Sequence, residues 1–224
     1  MPVSDSGGSL TITVEPIQDS DIETVTSVLV NAFYTNPAYA SVFKYKLRLK
    51  DGLHWLFRAS LLINNQKQPL TMVVKEKSTG EVIGTFTLIP PQGVKKSVSI
   101  YTKIGIGSFV LKFGIGTLIR MLGLEKKNKS LLTESMGESG YYYLSMVVIK
   151  EEYRGKGVGS LVLKQAINNL VESSPMCRAI GLTTQLPENV VFYSRLGFNK
   201  LDEGYVLFKG SKYYNYNMKY NLTR

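Results

Sequence analysis

The sequence predicts an α/β fold in which helices and strands alternate around one mixed β-sheet. Seven runs are rich in β-branched and aromatic residues and are predicted as strands: 10–14, 70–77, 82–90, 141–149, 179–185, 198–207 and 213–220. Four runs repeat apolar residues at helical spacing and are predicted as helices: 22–33, 52–64, 160–171 and 188–196. The 224 residues are sufficient for one sizeable core, and we expect a single domain over 10–224 behind a flexible tail, 1–9.

The first third of the chain supplies a half-buried strand and then two amphipathic helices. Polar residues at 19–21 offer an N-cap for the helix 22–33. Cationic side chains alternate along 43–50, which is the pattern of a solvated basic face. The helix 52–64 carries His54, the only histidine, which we interpret as a packed or surface residue in preference to a catalytic base.

The remaining strands are bounded by glycine, proline and aromatic residues. A tight turn at Gly80 joins the strands 70–77 and 82–90. Gly197 ends the helix 188–196. Aromatic residues alternate along 213–220, the pattern of a strand that lies at or near the edge of a sheet.

The segment 93–140 separates the third predicted strand from the fourth and is predicted as a helical insertion. Its apolar part, Ile104–Leu124, has about the length of a membrane span, but the interior Lys112 and the many glycines disfavour one. A buried or lid-forming helix is the first interpretation. A helix bound to a membrane surface is the second, supported by the basic residues that follow: Lys126, Lys127 and Lys129.

Charge and cysteine content limit the partners and the compartment. The net charge of +10 suits an anionic partner, whether nucleic acid, an anionic membrane or a phosphate-bearing cofactor. The single cysteine, Cys177, excludes an internal disulfide and, with one histidine, leaves no zinc cluster. The polar N-terminus has no secretory pattern, so we expect a reducing, cytoplasmic location.

The loop between the strand 141–149 and the helix 160–171 contains three glycines and two cations. The first turn of a helix has unpaired N–H groups and the positive end of the helix dipole, which together favour a phosphate. Gly155, Gly157 and Gly159 are expected to adopt positive φ and to let the backbone approach an anion closely. Arg154 and Lys156 add positive charge.

Two familiar phosphate motifs do not fit this loop. A P-loop needs a Gly-Lys-Ser/Thr triplet, which is missing here. The dinucleotide fingerprint needs Gly-x-Gly-x-x-Gly, whereas this loop has Gly-x-Gly-x-Gly and no acidic residue ending a second strand about twenty residues later. A simple tight connection and a polyphosphate site both remain open at this point.

The spacing Arg154-x-x-Gly157-x-Gly159 resembles the acyl-CoA pyrophosphate loop of the GCN5-related N-acetyltransferases. The later stretch 189–198, with Asn189, Phe-Tyr and a closing Gly-Phe, resembles the Asn…Phe-Tyr-x-x-x-Gly-Phe signature of that family. Two motifs in the correct order are more specific than either alone. The resemblance implies a mixed, mostly antiparallel central sheet flanked by helices, with the insertion between strands 3 and 4.

The same resemblance implies acetyl-CoA as co-substrate and assigns the residues that hold it. The pantetheine arm is expected between the fourth and fifth strands, against the backbone of Val147, Val148 and Ile149. The pyrophosphate is expected on the loop and first helical turn, formed by Arg154, Gly155, Lys156, Gly157, Val158 and Gly159. Asn189 is assigned to the cofactor site, and Tyr193 is the expected acid that protonates the departing thiolate.

The base that deprotonates the amine is the least certain residue, because the fourth strand carries no carboxylate. Glu138 is the predicted base, with Glu134 beside it. The leading hypothesis is direct acetyl transfer to the primary amine of a small molecule or peptide by a monomer or homodimer, without metal, nucleic acid or a membrane span. The alternatives are a catalytically silent CoA-binding regulator and a basic protein that binds membranes or nucleic acid.

Overall fold

The computed structural model describes residues 10–43, 48–137, 140–174 and 177–222. Its centre is a seven-stranded sheet in the order β1-β2-β3-β4-β5-β7-β6. The strands are β1 Ile12–Pro16, β2 Thr71–Glu76, β3 Val82–Ile89, β4 Tyr141–Ile149, β5 Ala179–Thr184, β6 Asn199–Phe208 and β7 Ser211–Asn221. Among the described strands only β4 and β5 pair in parallel, so the predicted mixed, mostly antiparallel sheet is confirmed.

Eight α-helices cover the two faces of this sheet within the described residues. They are α1 Ile22–Phe33, α2 Pro37–Ala40, α3 Leu49–Asn64, α4 Val98–Lys103, α5 Ile106–Phe113, α6 Ile115–Met136, α7 Val158–Ser173 and α8 Pro187–Arg195. The first face carries α1, α3 and α6, whereas α7 and α8 pack on the second face. The predicted tail 1–9 and half of the basic segment 43–50, residues 44–47, lie outside the described residues.

Each face owes its stability to a continuous apolar core. On the first face Leu29, Leu53 and Phe109 are almost fully buried, and Phe109 packs against Trp55 with ring centroids 4.1 Å apart. On the second face Ile180 and Met218 lie beneath the apolar stripes of α7 and α8. Burial of a large apolar side chain contributes about 1.5–3 kcal/mol, so the two cores hold the sheet between the helix layers.

The predicted helix over 104–124 is in fact two helices that meet at a sharp bend. Gly114 has φ 82° and ψ 150°, a conformation that glycine adopts easily and other residues rarely. It therefore ends α5, and α6 leaves at an angle of 112°. No single described helix has the length and apolar content of a membrane span, although α5 and α6 taken together have the composition of a broken one.

Candidate functional site

The parallel strands β4 and β5 separate soon after they meet. They pair only through Tyr141–Tyr143 and Ala179–Gly181. Beyond these residues β4 runs on to Ile149 and β5 to Thr184 without pairing to each other. A wedge therefore opens in the middle of the sheet, and the β4 edge that lines it offers backbone groups to a bound molecule.

A bulge in β4 lies along the unpaired edge that lines this wedge. Ser145 pairs with Thr87 and Val148 with Thr85, so three steps along β4 match two steps along β3. The extra residue is accommodated at Met146, whose φ is 51°. A non-glycine residue in this region costs about 1–2 kcal/mol, and such strain is concentrated at functional sites. No sequence pattern predicts this conformation, because methionine is not typical of it.

The glycine loop follows directly from the end of β4. Gly155 and Gly157 have φ of 74° and 78°, and a Cβ built at either position meets nothing within 4 Å. The open space beside both residues suits close approach of an anion. The expectation of positive φ is wrong for Gly159, where a Cβ would instead lie 3.3 Å from the Phe192 ring. Gly159 is thus required for close packing of α7 on α8.

The first turn of α7 points into the same space. The Leu161 amide closes the first helical hydrogen bond to the Gly157 carbonyl, at 3.0 Å. The three preceding amides have no partner within the helix, and Gly157 supplies no side-chain cap. Together with the helix dipole they form an electropositive pocket at the open end of the wedge.

The cations of this loop are anchored close to it. Arg154 donates through Nε to the Ile149 carbonyl at 2.9 Å, which ties the loop to the end of β4. The Lys156 ammonium lies 5.3 Å from the centroid of the Tyr153 ring. Lys150 forms an ion pair with Glu81. Arg154 and Lys156 thus lie beside the uncapped helix end, where an anion would gain from both.

Helix α8 brings Asn189 and Tyr193 to the second face of the sheet. Asn189 donates through Nδ2 to the Thr184 hydroxyl at 3.0 Å, at the end of β5. The Tyr193 ring is 7% exposed and packs against Phe198 with centroids 5.6 Å apart. Burial raises the pKa of Tyr193 well above its usual value, and its hydroxyl makes no hydrogen bond to the described residues. It is therefore a protonated, unengaged donor at neutral pH.

Two tyrosines and a carboxylate lie on the first face of the wedge. Burial, and secondarily the Glu125 carboxylate, raise the pKa of Tyr39 to about 12. Burial also raises the pKa of Tyr143, with further contributions from Tyr39, Glu125 and Tyr193. Because Tyr143 is the last residue of β4 that pairs with β5, these groups converge on the apex of the wedge.

Glu125 occupies an unusual place on α6. Residues seven apart share a helix face, yet Leu118 and Leu132 are buried and Glu125 between them is exposed. The side chain of Glu125 is therefore accessible to solvent, whereas the rest of the protein covers Leu118 and Leu132. Glu125 also contributes to the raised pKa of Tyr39 and of Tyr143, so its solvent-exposed carboxylate lies near these two side chains, beside α6 on the first face of the wedge.

A chain of side-chain amides fixes α2, which carries Tyr39. Asn36 caps α2 by accepting from the Ala38 amide at 3.0 Å, and it donates to Gln185 at 3.0 Å. Gln185 donates in turn to Asn215 at 2.8 Å. These groups are largely buried and mutually satisfied, which makes such a network rigid. The helix and its tyrosine are thereby held against the end of β5 and the middle of β7.

The structure brings together most, but not all, of the residues that the sequence singled out. The Val147–Ile149 edge, the glycine loop, Asn189 and Tyr193 lie around one wedge. Glu138 lies outside the described residues. Glu134 accepts from Ser130 and lies on the exposed side of α6.

His54 is at the surface, 3.4 Å from Glu23. The predicted surface or packed interpretation of His54 therefore fits its position better than catalysis. Sequence reasoning missed Met146 and Glu125. A comparison of α6 positions seven residues apart signals Glu125, because it is the one carboxylate in an otherwise apolar series.

Comparison with known proteins agrees with this geometry. A solved structure with the same fold is the histone acetyltransferase HPA2 and related acetyltransferase of Corynebacterium glutamicum, 22% identical with a TM-score of 0.59 over 94% of this chain and 96% of that one. The polyamine N-acetyltransferase of Drosophila melanogaster, which forms N-acetylagmatine, is 11% identical with a TM-score of 0.62 over 94% and 100%. Arabidopsis thaliana NAA60, solved with a bisubstrate analogue, is 15% identical with a TM-score of 0.53 over 94% and 98%.

Sequence comparison identifies the family. No curated protein sequence matches the chain. The model of the acetyltransferase (GNAT) family does match, over residues 36–198, which is well over half of the chain. This range includes both the glycine loop and the Asn189–Phe198 stretch. The chain therefore belongs to the GNAT family of acetyltransferases.

Proposed function

We propose that this protein is an acetyl-CoA-dependent N-acetyltransferase that transfers the acetyl group directly to a primary amine. The observation that carries the proposal is the wedge between β4 and β5, with the uncapped N-terminus of α7 at its open end and Tyr193 on its second face. An extended thiol ester with a pyrophosphate at one end fits such a site. The family match supports the same class of reaction.

The cofactor side uses backbone groups more than side chains. The amides at the start of α7, with Arg154 and Lys156, hold the pyrophosphate. The free edge of β4 at Val147–Ile149 hydrogen-bonds the pantetheine amides, and Asn189 borders the same site. Acetyl-CoA supplies an acyl group activated as a thioester. Gly155 and Gly157 leave the space that the phosphates need, since no described atom lies within 4 Å of a Cβ built there.

We place the amine in a cleft beside α6, at the solvent-exposed Glu125 on the first face of the wedge. An alkylamine is protonated at neutral pH and must lose a proton before it attacks. Glu125 is the carboxylate that faces this cleft, and we assign it as the base, acting directly or through one water. Tyr39 and Tyr143 form the wall of the cleft, where an ammonium group can lie against aromatic rings. Tyr193 donates its proton to the departing sulfur.

The acceptor class follows from the same cleft. One carboxylate among tyrosines suits a small cationic amine better than a lysine-rich tail, because the protein as a whole carries a net charge of +10. The Drosophila neighbour forms N-acetylagmatine, the product of a small cationic amine. We therefore place small amines with an aliphatic or aromatic arm first among the acceptors.

Calorimetric titration with acetyl-CoA tests the cofactor site. The wild type is expected to bind saturably, and Gly157→Glu is expected to abolish binding because it adds bulk and negative charge where the pyrophosphate lies. Gly80→Glu is the matched control, since Gly80 has a φ of 71° and equally open surroundings in the β2–β3 turn. It carries the same backbone strain and should bind normally. No binding by the wild type would contradict the proposed cofactor.

Release of free CoA thiol with a panel of amines tests the transfer. Turnover with at least one small primary amine, lost in Gly157→Glu and kept in Gly80→Glu, is the expected result. Acetyl-CoA binding without turnover on any amine would instead identify a CoA-binding regulator. The two measurements therefore separate the cofactor site from the chemistry.

A further inference from the structure

Exposed apolar side chains are concentrated in one part of the surface. Twelve large hydrophobic side chains are exposed among the described residues, and half of them lie between 98 and 122. They are Val98, Tyr101, Leu111, Ile115, Ile119 and Leu122. Leu111 is 90% exposed and Val98 86%. Such clustering is uncommon on the free surface of a soluble protein and marks an interaction site.

Four of these side chains form a single projecting feature, which we name the apolar corner: Leu111, Ile115, Ile119 and Leu122. Leu111 lies near the end of α5, and the other three follow on α6 at spacings of four and three residues, which places them on one helix face. The two helices meet at Gly114 with a bend of 112°. The opposite face of α6 is buried, so the corner faces solvent.

Positive charge predominates around the apolar corner. Residues 82–124 contain no aspartate or glutamate. The exposed lysines on and around the three helices are Lys95, Lys96, Lys103, Lys112, Lys126, Lys127 and Lys129. Among these only Lys112 forms an ion pair within the described residues, with Asp51. The exposed stripe of α6 itself continues from Leu122 to Lys126 and Lys129, at three- and four-residue steps.

We propose that the apolar corner docks the enzyme on the surface of an anionic phospholipid bilayer. The aliphatic side chains enter the interface between headgroups and acyl chains, and the surrounding lysines contact lipid phosphates. Nucleic acid would use the lysines but would leave four exposed aliphatic side chains without a partner. The sharp bend and the short apolar stretch of α6 fit a corner that enters one leaflet, and no single described helix has the length and apolar content of a span.

Vesicle co-sedimentation tests the proposal, independently of catalysis. The wild type is expected to bind vesicles of phosphatidylserine and phosphatidylcholine at a ratio of about 3:7, and far less to phosphatidylcholine alone. The variant Leu111→Ser with Ile115→Ser should lower the partition coefficient by about tenfold or more, because two insertable side chains are lost. Leu207→Ser, at an exposed leucine of β6, is the matched control and should bind as the wild type does. Unchanged thermal unfolding confirms that each variant is folded.

Three results would overturn the proposal. One is wild-type protein that stays in the supernatant with anionic vesicles at low salt. Another is a double-serine variant that binds as well as the wild type, since attraction by the lysines alone is then sufficient. The third is duplex DNA that displaces the vesicles at equal phosphate concentration, which would identify nucleic acid as the partner.

Discussion

Replacement of Tyr193 by phenylalanine separates its catalytic role from its structural one. The ring is buried against Phe192 and Phe198, with centroids 5.1 and 5.6 Å away, and phenylalanine keeps this packing. The hydroxyl makes no hydrogen bond to the described residues, so its removal breaks none there. We therefore expect the free energy of unfolding to change by less than about 0.5 kcal/mol.

The effect on turnover should be much larger. A general acid contributes about 10²- to 10⁴-fold to rate, so we expect kcat to fall at least 100-fold, or about 2.7 kcal/mol in activation free energy. Affinity for acetyl-CoA should stay within about twofold, because the ring is retained. Burial raises the pKa of Tyr193, so the hydroxyl is protonated throughout the neutral range. The loss should accordingly be the same at every pH between about 6 and 9.

Thiol release measures kcat, calorimetry measures acetyl-CoA affinity and thermal unfolding measures stability. Tyr142→Phe is the control with the reverse pattern, because the Tyr142 hydroxyl lies 2.9 Å from the Ser174 hydroxyl. It should lose about 1 kcal/mol of stability and keep its turnover. Undiminished kcat in Tyr193→Phe would remove this hydroxyl from the mechanism. A large fall in its Tm would show that the hydroxyl has a structural partner.

Two further substitutions test the assignments on α6 and at the sheet edge. Glu125→Gln should lower kcat/KM about 100-fold, whereas Glu134→Gln, on the opposite side of α6, should not; equal effects would refute the assigned base. Lys75 binds Glu15 and Asp21 at 2.5 and 2.9 Å, so Lys75→Ala should cost about 2 kcal/mol, measured by chemical unfolding. The bonds to Glu15 and Asp21 raise the Lys75 pKa, so this stability is complete below about pH 10 and is lost above it.

The parts of the site that depend on local backbone chemistry could be predicted from the sequence. Glycines between a strand and a helix specify a tight, open turn in almost any fold, and Gly155 and Gly157 adopt the expected conformation. Gly159 has the same residue type but a different role, set by the Phe192 ring on a distant helix. The spacing of residues in the sequence does not reveal this contact between Gly159 and the Phe192 ring.

The parts that depend on packing could not be predicted. Whether a carboxylate on α6 faces solvent or the wedge is decided by which helix face the sheet buries, which sequence spacing does not reveal. The sequence therefore indicates Glu138 and Glu134 only because they lie close to β4 in the chain, and Glu138, outside the described residues, stays a prediction. The break at Gly114 has a sequence signal, since glycine is a poor helix former. The continuous apolar character of the segment masks this signal, because it indicates burial but does not specify the direction of the helix.

The bulge in β4 changes which side of the sheet each residue faces. Tyr143 packs toward α6 and Leu144 toward the opposite layer, as strict alternation requires. After Met146 the order is reversed, so that Val148 faces the first layer and Ile149 the second, against the start of α7. Tyr143 and Ile149 are six residues apart and would share a face in a regular strand. Loss of the bulge without loss of a residue would therefore turn Ile149 away from the glycine loop while leaving Tyr143 on its present face, whereas deletion of the extra residue would keep both side chains where they are.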